Sequence, residues 1–155
     1  NWISSAGKYI NLFEQSFSRK VGCSYGIACV SGTAALHLIM AALGLKPGDE
    51  VIIPTHTMIA TAYAVSYTGA KPVFVDVDPE TLNINPALIE KKIKSRTKAI
   101  LPVDIAGYPC DYSAILKISR KYKLPIITDA AHSWGAVYHG KFGQCWEEWV
   151  CRQLQ

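Results

Sequence analysis

Pro125-Ile126-Ile127-Thr128-Asp129-Ala130-Ala131-His132-Ser133 is an apolar run that ends in a carboxylate and continues into small residues and an imidazole. The run has the composition of a buried parallel strand, which puts Asp129 at a strand's carboxyl end. Open α/β sheets hold their ligands along that edge. A carboxylate there, backed by a desolvating sheet, is suited to pairing with a cationic ring nitrogen. Capping of the next turn is the structural alternative for a strand-end Asp.

The stretch N-terminal to it repeats the same alternation of short apolar runs and longer amphipathic ones. Tyr25–Val30, Glu50–Ile53, Pro72–Asp76, Ala99–Val103 and Pro125–Thr128 read as strands. Between them, helices are predicted over Ala34–Leu43, stopped by Gly44 and Pro47-Gly48, and over Ile59–Tyr67, stopped by Gly69. A third is predicted from Asn85-Pro86, with proline where its missing N–H costs nothing, and a fourth over Tyr112–Tyr122. Strands alternating with helices of this size predict an α/β three-layer sandwich with a mostly parallel central sheet. Ahead of it, Tyr9, Leu12, Phe13 and Phe17 recur at helical spacing, so residues 1–20 are read as an N-terminal segment with an amphipathic helix. Residues 21–140 are the α/β unit. In residues 141–155 the rhythm breaks, and Cys145, Trp146, Trp149 and Cys151 crowd together. That tail is read as atypical, either out of register or a short helical ending.

Bulk properties bound the class. The 155 residues are 50% hydrophobic and 18% charged, an ordinary globular composition. The net charge is +4, and its main cluster (Lys91, Lys92, Lys94, Arg96, Lys98) reads as a solvated helix face rather than a nucleic-acid surface. No apolar stretch is long enough to span a bilayer and no basic-then-apolar leader opens the chain, so a cytoplasmic protein without a membrane partner is expected. Cys23, Cys29, Cys110, Cys145 and Cys151 include no CxxC pair, which favours buried reduced thiols and no metal site.

Ser31-Gly32-Thr33-Ala34-Ala35 joins a predicted strand to a helix. A small-residue turn there aims free N–H groups, and the positive end of the helix dipole, at an anion such as a phosphate. A plain N-cap is the alternative. The turn lacks the GxGxxG of a dinucleotide site, which argues against a nicotinamide-binding domain, and the Lys of a P-loop.

In this order, the phosphate turn and the strand-end carboxylate resemble the fold-type-I pyridoxal-phosphate enzymes. The match is to the sugar aminotransferases of the DegT/DnrJ/EryC1/StrS family. The pieces that carry it are Ser31–Leu38, Pro47-Gly48-Asp49-Glu50-Val51-Ile52-Ile53-Pro54, Gly69-Ala70-Lys71-Pro72-Val73-Phe74-Val75-Asp76 and Asp129-Ala130-Ala131-His132. The resemblance runs from Trp2 to about Gly140 and implies the N-terminal part of the family's large domain, truncated. It implies pyridoxal 5'-phosphate as cofactor, with Gly32 and Thr33 at its phosphate and Asp129 keeping its pyridine nitrogen protonated. His132 matches a polar position near the ring, with a structural histidine as the alternative. Met58 aligns with the residue that stacks on the ring, where many relatives carry an aromatic and where His56 is a rival. Trp2, Ser4 and Ser5 match a segment near the sugar cleft.

By the same resemblance the reaction is amino transfer to a nucleotide-linked keto-sugar, with glutamate as donor and a homodimer as the working form. The family's Schiff-base lysine is expected beyond the last residue of this chain, since Lys141 lacks the serine-rich context. Relatives with histidine at that position instead remove the sugar 3-hydroxyl with pyridoxamine phosphate. That dehydratase chemistry, or a catalytically inactive fragment, is the alternative.

Overall fold

The computed structural model describes residues 7–139 together with the strands at 141–142 and 150–153. The elements in chain order are α1 (Lys8–Val21), α2 (Gly32–Ala42), β1 (Glu50–Pro54), α3 (Ile59–Ser66), β2 (Lys71–Val75), α4 (Pro86–Ile89), β3 (Thr97–Ile100), α5 (Tyr112–Tyr122), β4 (Ile126–Asp129), β5 (Val137–Tyr138), β6 (Lys141–Phe142) and β7 (Val150–Gln153). Five strands form one sheet in the order β2-β1-β3-β4-β7, every pairing parallel. The last pairing sets Val150–Gln153, from the stretch where the sequence rhythm breaks, alongside Ile126–Asp129. A separate antiparallel ribbon joins β5 and β6.

The side-chain alternation of the strands divides the core in two. On one face Val51, Ile53, Ala99, Leu101 and Ile127 pack under Leu36 and Met40 of α2 and Ala62, Ala64 and Val65 of α3. On the other, Ile52, Ile100 and Ile126 pack under Ile89 of α4 and Tyr112, Ile115 and Ile118 of α5. These residues are buried on both faces, which is why the strands read as continuous apolar runs. The expected three-layer α/β architecture is therefore present. Helix α5 matches its predicted span because both ends are marked: the Asp111 carboxylate accepts from Ala114 N–H at 3.0 Å, and Lys123 ends it in a left-handed conformation.

Four expectations are corrected. Tyr25–Val30 is not a strand. Its β-forming side chains face solvent, with Tyr25 87% and Val30 98% exposed, and no strand among the described residues pairs with it. A strand exists only where a partner takes its N–H and C=O groups. Here the segment leans on α1 instead: Ala28 N–H donates to Glu14 Oε1 at 2.8 Å, and a Cβ on Gly26 would come within 2.8 Å of the Glu14 carbonyl oxygen. The helix from Pro86 is a single four-residue turn, capped by Asn85 on Ala87 N–H and followed by a 3₁₀ turn at Glu90–Lys92. Among the thiols, Cys110 is buried as expected but Cys29 is exposed. The basic cluster is exposed but does not share one helix face: Lys91 and Lys92 are on the 3₁₀ turn, Lys94 and Arg96 in the loop after it and Lys98 on β3.

Candidate active site

Topology brings the helix starts and the strand ends to one edge. Helix α2 has 11 residues and so spans about 16 Å, the length of a five-residue strand. Its C-terminus connects to the start of β1, so its N-terminus stands level with the carboxyl ends of the strands. Helix α3 starts a few residues after β1 ends and packs beside α2 on the same face, so its first turn lies at that edge too.

At this edge Asp129 closes β4 and is only 7% exposed. Burial pushes its carboxyl up from the ordinary carboxylate range, and the nearby Asp104 carboxylate pushes the same way. The Ala131 N–H, which donates to Asp129 Oδ1 at 3.2 Å, works against the burial, as do His132 and the Thr61 hydroxyl. Thr61 projects from the first turns of α3, is fully buried, and its hydroxyl lies 2.8 Å from that of Thr57. Asp129 is thus a desolvated anion site whose cost a cation would offset.

Ser31, Gly32 and Thr33 form the start of α2. Ser31 is the N-cap, its Oγ accepting from Ala34 N–H at 3.2 Å, so the plain capping role holds for this residue. Gly32 and Thr33 occupy the first helical positions, where N–H groups have no intrahelical acceptor. Gly32 is buried and Thr33 half-buried. The roles separate by substitution. Ser31→Ala is expected to cost about 1 kcal/mol of stability, read from denaturant midpoints. Thr33→Val should leave stability nearly unchanged and weaken phosphate-bearing ligands instead; a Ser31→Ala protein as stable as its parent would contradict the cap.

Met58 is the N-cap residue of α3 and 60% exposed, with His56 exposed beside it in the chain. His132 is exposed, in the turn after Asp129. The fold therefore brings Asp129, His132 and the start of α3 together, and sets the start of α2 on the same edge. Trp2, Ser4 and Ser5 lie outside the described residues, as do the side chains of Cys145, Trp146, Trp149 and Cys151. Among the described residues no group of His, Cys, Asp and Glu could hold a metal, and no helix is long and apolar enough to cross a membrane.

Sequence reasoning missed Thr61 and a second buried carboxylate, Asp104, in the loop just beyond β3. The signal for Asp104 was present: Leu101-Pro102-Val103-Asp104 repeats the apolar-run-then-carboxylate pattern that singles out Asp129. Thr61 stands in a run of small residues, Ala60-Thr61-Ala62, and had no comparable mark.

A family model described as the DegT/DnrJ/EryC1/StrS aminotransferase family matches residues 1–146. The chain belongs to this family. Family relatives include GDP-perosamine synthase of Caulobacter vibrioides, 50% identical over 140 residues, which covers 90% of this chain and 38% of that protein. UDP-2-acetamido-2-deoxy-3-oxo-D-glucuronate aminotransferase of Pseudomonas aeruginosa is 49% identical over 135 residues, 87% of this chain and 38% of that one. Among solved structures, S. venezuelae DesV in complex with a ketimine intermediate superposes with a TM-score of 0.91 at 37% identity, over 96% of this chain and 39% of that one. A GDP-4-keto-6-deoxymannose-3-dehydratase variant with bound GDP-perosamine gives 0.82 at 33% identity, over 87% and 36%. The chain spans about two fifths of the length of the curated relatives it matches. Its expected large-domain α/β fold is the fold of these family structures.

The residues present fit the family's cofactor. A buried carboxylate raised by desolvation is the donor-set chemistry a protonated ring nitrogen requires, and the unpaired N–H groups of a helix start suit a phosphate.

Proposed function

We propose that the protein carrying this chain is a pyridoxal-phosphate-dependent aminotransferase acting on a nucleotide-linked keto-sugar. The observation that carries the reading is the buried Asp129 carboxylate at the sheet's carboxyl edge. When bound, the cofactor supplies an electron sink for the carbon that exchanges its proton during amino transfer. Asp129 would keep the pyridine nitrogen protonated, because leaving the carboxylate alone in its desolvated site is costly. The N–H groups of Gly32 and Thr33, with the Thr33 hydroxyl, would hold the phosphate. Met58 would pack its thioether on the ring face, and His132 would line the rim beside Asp129. Residues 21–140 then form the cofactor-binding unit and residues 1–20 its N-terminal helix segment. Glutamate as donor, a homodimer as the working form and a cytoplasmic location belong to the same reading.

Purified protein from the complete reading frame, incubated with pyridoxal phosphate, should acquire an absorbance band beyond that of the aromatic residues. It should also move nitrogen from glutamate to a nucleotide-linked keto-sugar. A protein that binds no chromophore would refute the reading. The likeness to the 3-dehydratase structure supports a second outcome, loss of the sugar 3-hydroxyl with no nitrogen gained. Product mass separates the two.

A further inference from the structure

The carboxylate that the proposed chemistry leaves unused is Asp104. It is fully buried, and its backbone and side chain both grip the segment that carries Asp129. Just beyond β3, an isolated parallel bridge pairs Val103 with Asp129, the last residue of β4; in it Asp129 N–H donates to the Pro102 carbonyl at 3.0 Å and Asp104 N–H donates to the Asp129 carbonyl at 3.1 Å. Four residues beyond Asp129, the Ser133 hydroxyl donates to Asp104 Oδ2 at 2.7 Å. The turn from Asp129 to Ser133 is therefore tied to one residue at both ends. Ser133 N–H closes it internally on the Ala130 carbonyl at 3.0 Å.

Asp104 is itself fixed from the other side. Its Oδ1 accepts from Tyr112 OH at 2.7 Å and from Cys110 N–H at 2.9 Å, which anchors it to the start of α5. The loop between is held in a strained shape: Ala106 has φ 51, and a Cβ on Gly107 (φ +84) would come within 3.0 Å of the His132 carbonyl oxygen. Asn83 clamps that loop by accepting from Ile105 N–H at 3.0 Å and donating to the Tyr108 carbonyl at 2.8 Å. Backbone strain persists only where the surroundings over-determine it. A carboxylate at a strand end needs only a turn cap, whereas this one receives three donors, and its own N–H holds the Asp129 carbonyl.

We propose that Asp104 is a positioning residue, which fixes the Asp129–Ser133 turn so that the Asp129 carboxylate meets a protonated ring nitrogen in one orientation. It does not touch the ring; it acts through Ser133 and the shared strand-end bridge. The proposal rests on Asp129 being the ring-nitrogen partner.

The test compares binding of pyridoxal phosphate with that of its 1-deaza analogue, which keeps the phosphate and aldehyde but lacks the ring nitrogen. The cofactor-free protein from the complete reading frame is titrated with each, and the ratio of the two dissociation constants is the readout. Wild type should prefer the natural cofactor, and Asp129→Ala should lose the preference. Ser133→Ala and Asp104→Asn should each reduce it about tenfold, the scale of one loosened charge-assisted hydrogen bond. Asparagine at 104 can still accept from Tyr112 and Cys110 through its oxygen while its amide faces Ser133. If Asp104→Asn does not fold, Ser133→Ala decides alone. A purely structural Asp104 would weaken both ligands equally, and an unchanged ratio in Ser133→Ala overturns the proposal. No preference in wild type overturns the assignment of Asp129 itself instead.

Discussion

Asp129→Asn is expected to lower turnover by about a thousandfold or more, the scale on which losing one preorganised charged partner affects a transition state, while making the cofactor-free protein more heat-stable. The two effects share one cause. Burial raises the Asp129 pKa above that of an unfolded carboxylate. A group shifted upward contributes most to stability below its unfolded pKa, and the contribution is lost as pH rises through the raised folded value. At neutral pH the ionised form is therefore a cost borne by the empty site, which the isosteric amide does not bear. It also does not hold a ring nitrogen protonated. Melting temperatures from about pH 4 to pH 7 should show Asp129→Asn gaining on wild type as pH rises. Saturating pyridoxal phosphate should reverse the order, because a bound cation offsets the wild-type cost. Wild-type turnover by Asp129→Asn, or a variant less stable at every pH, would remove Asp129 from its role.

Much of the architecture was legible because both helix ends and both strand faces left marks in the sequence. Tyr112–Tyr122 carries a capping Asp before it, and Val51-Ile52-Ile53 is apolar on both faces, as a strand covered on both sides must be. Tyr25–Val30 was misread for a physical reason. β-propensity reports fitness for a pleated surface, not the existence of a neighbouring strand, and among the described residues none is offered. The site divides in the same way. Asp129 and the Ser31–Thr33 turn stand at element boundaries that periodicity locates, so they could be found from order alone. Asp104 matters through its bond to Ser133, 29 positions on, and Thr61, on α3, through Asp129 at the end of β4, and pairing of that kind has no local signature.

Asp104→Ala is expected to destabilise the fold by about 3–5 kcal/mol, the range for removing one member of a buried charged network. Three donors converge on this carboxylate, the Tyr112 and Ser133 hydroxyls and the Cys110 N–H, and all three belong to buried residues. The hydroxyls can rotate toward other acceptors, but the Cys110 N–H is fixed by the backbone. Burial, and then the Asp104 charge, raise the Tyr112 phenol well above its usual range, so it remains a donor where an exposed tyrosine would ionise. Tyr112→Phe and Ser133→Ala each leave the buried Asp104 carboxylate short of one donor. Each should cost about 1.5–3 kcal/mol alone, and less when combined with Asp104→Ala. Denaturant unfolding of the singles and doubles gives the coupling directly. Additive costs would mean that the three side chains do not act as one network. An Asp104→Ala protein within about 1 kcal/mol of wild type would mean that the carboxylate does not hold the strand ends together. The same linkage makes this network lose stability at alkaline pH. Tyr112 and Cys110 both have raised pKa values, chiefly through burial, so their contribution persists below their unfolded values and is lost as pH rises through the folded ones.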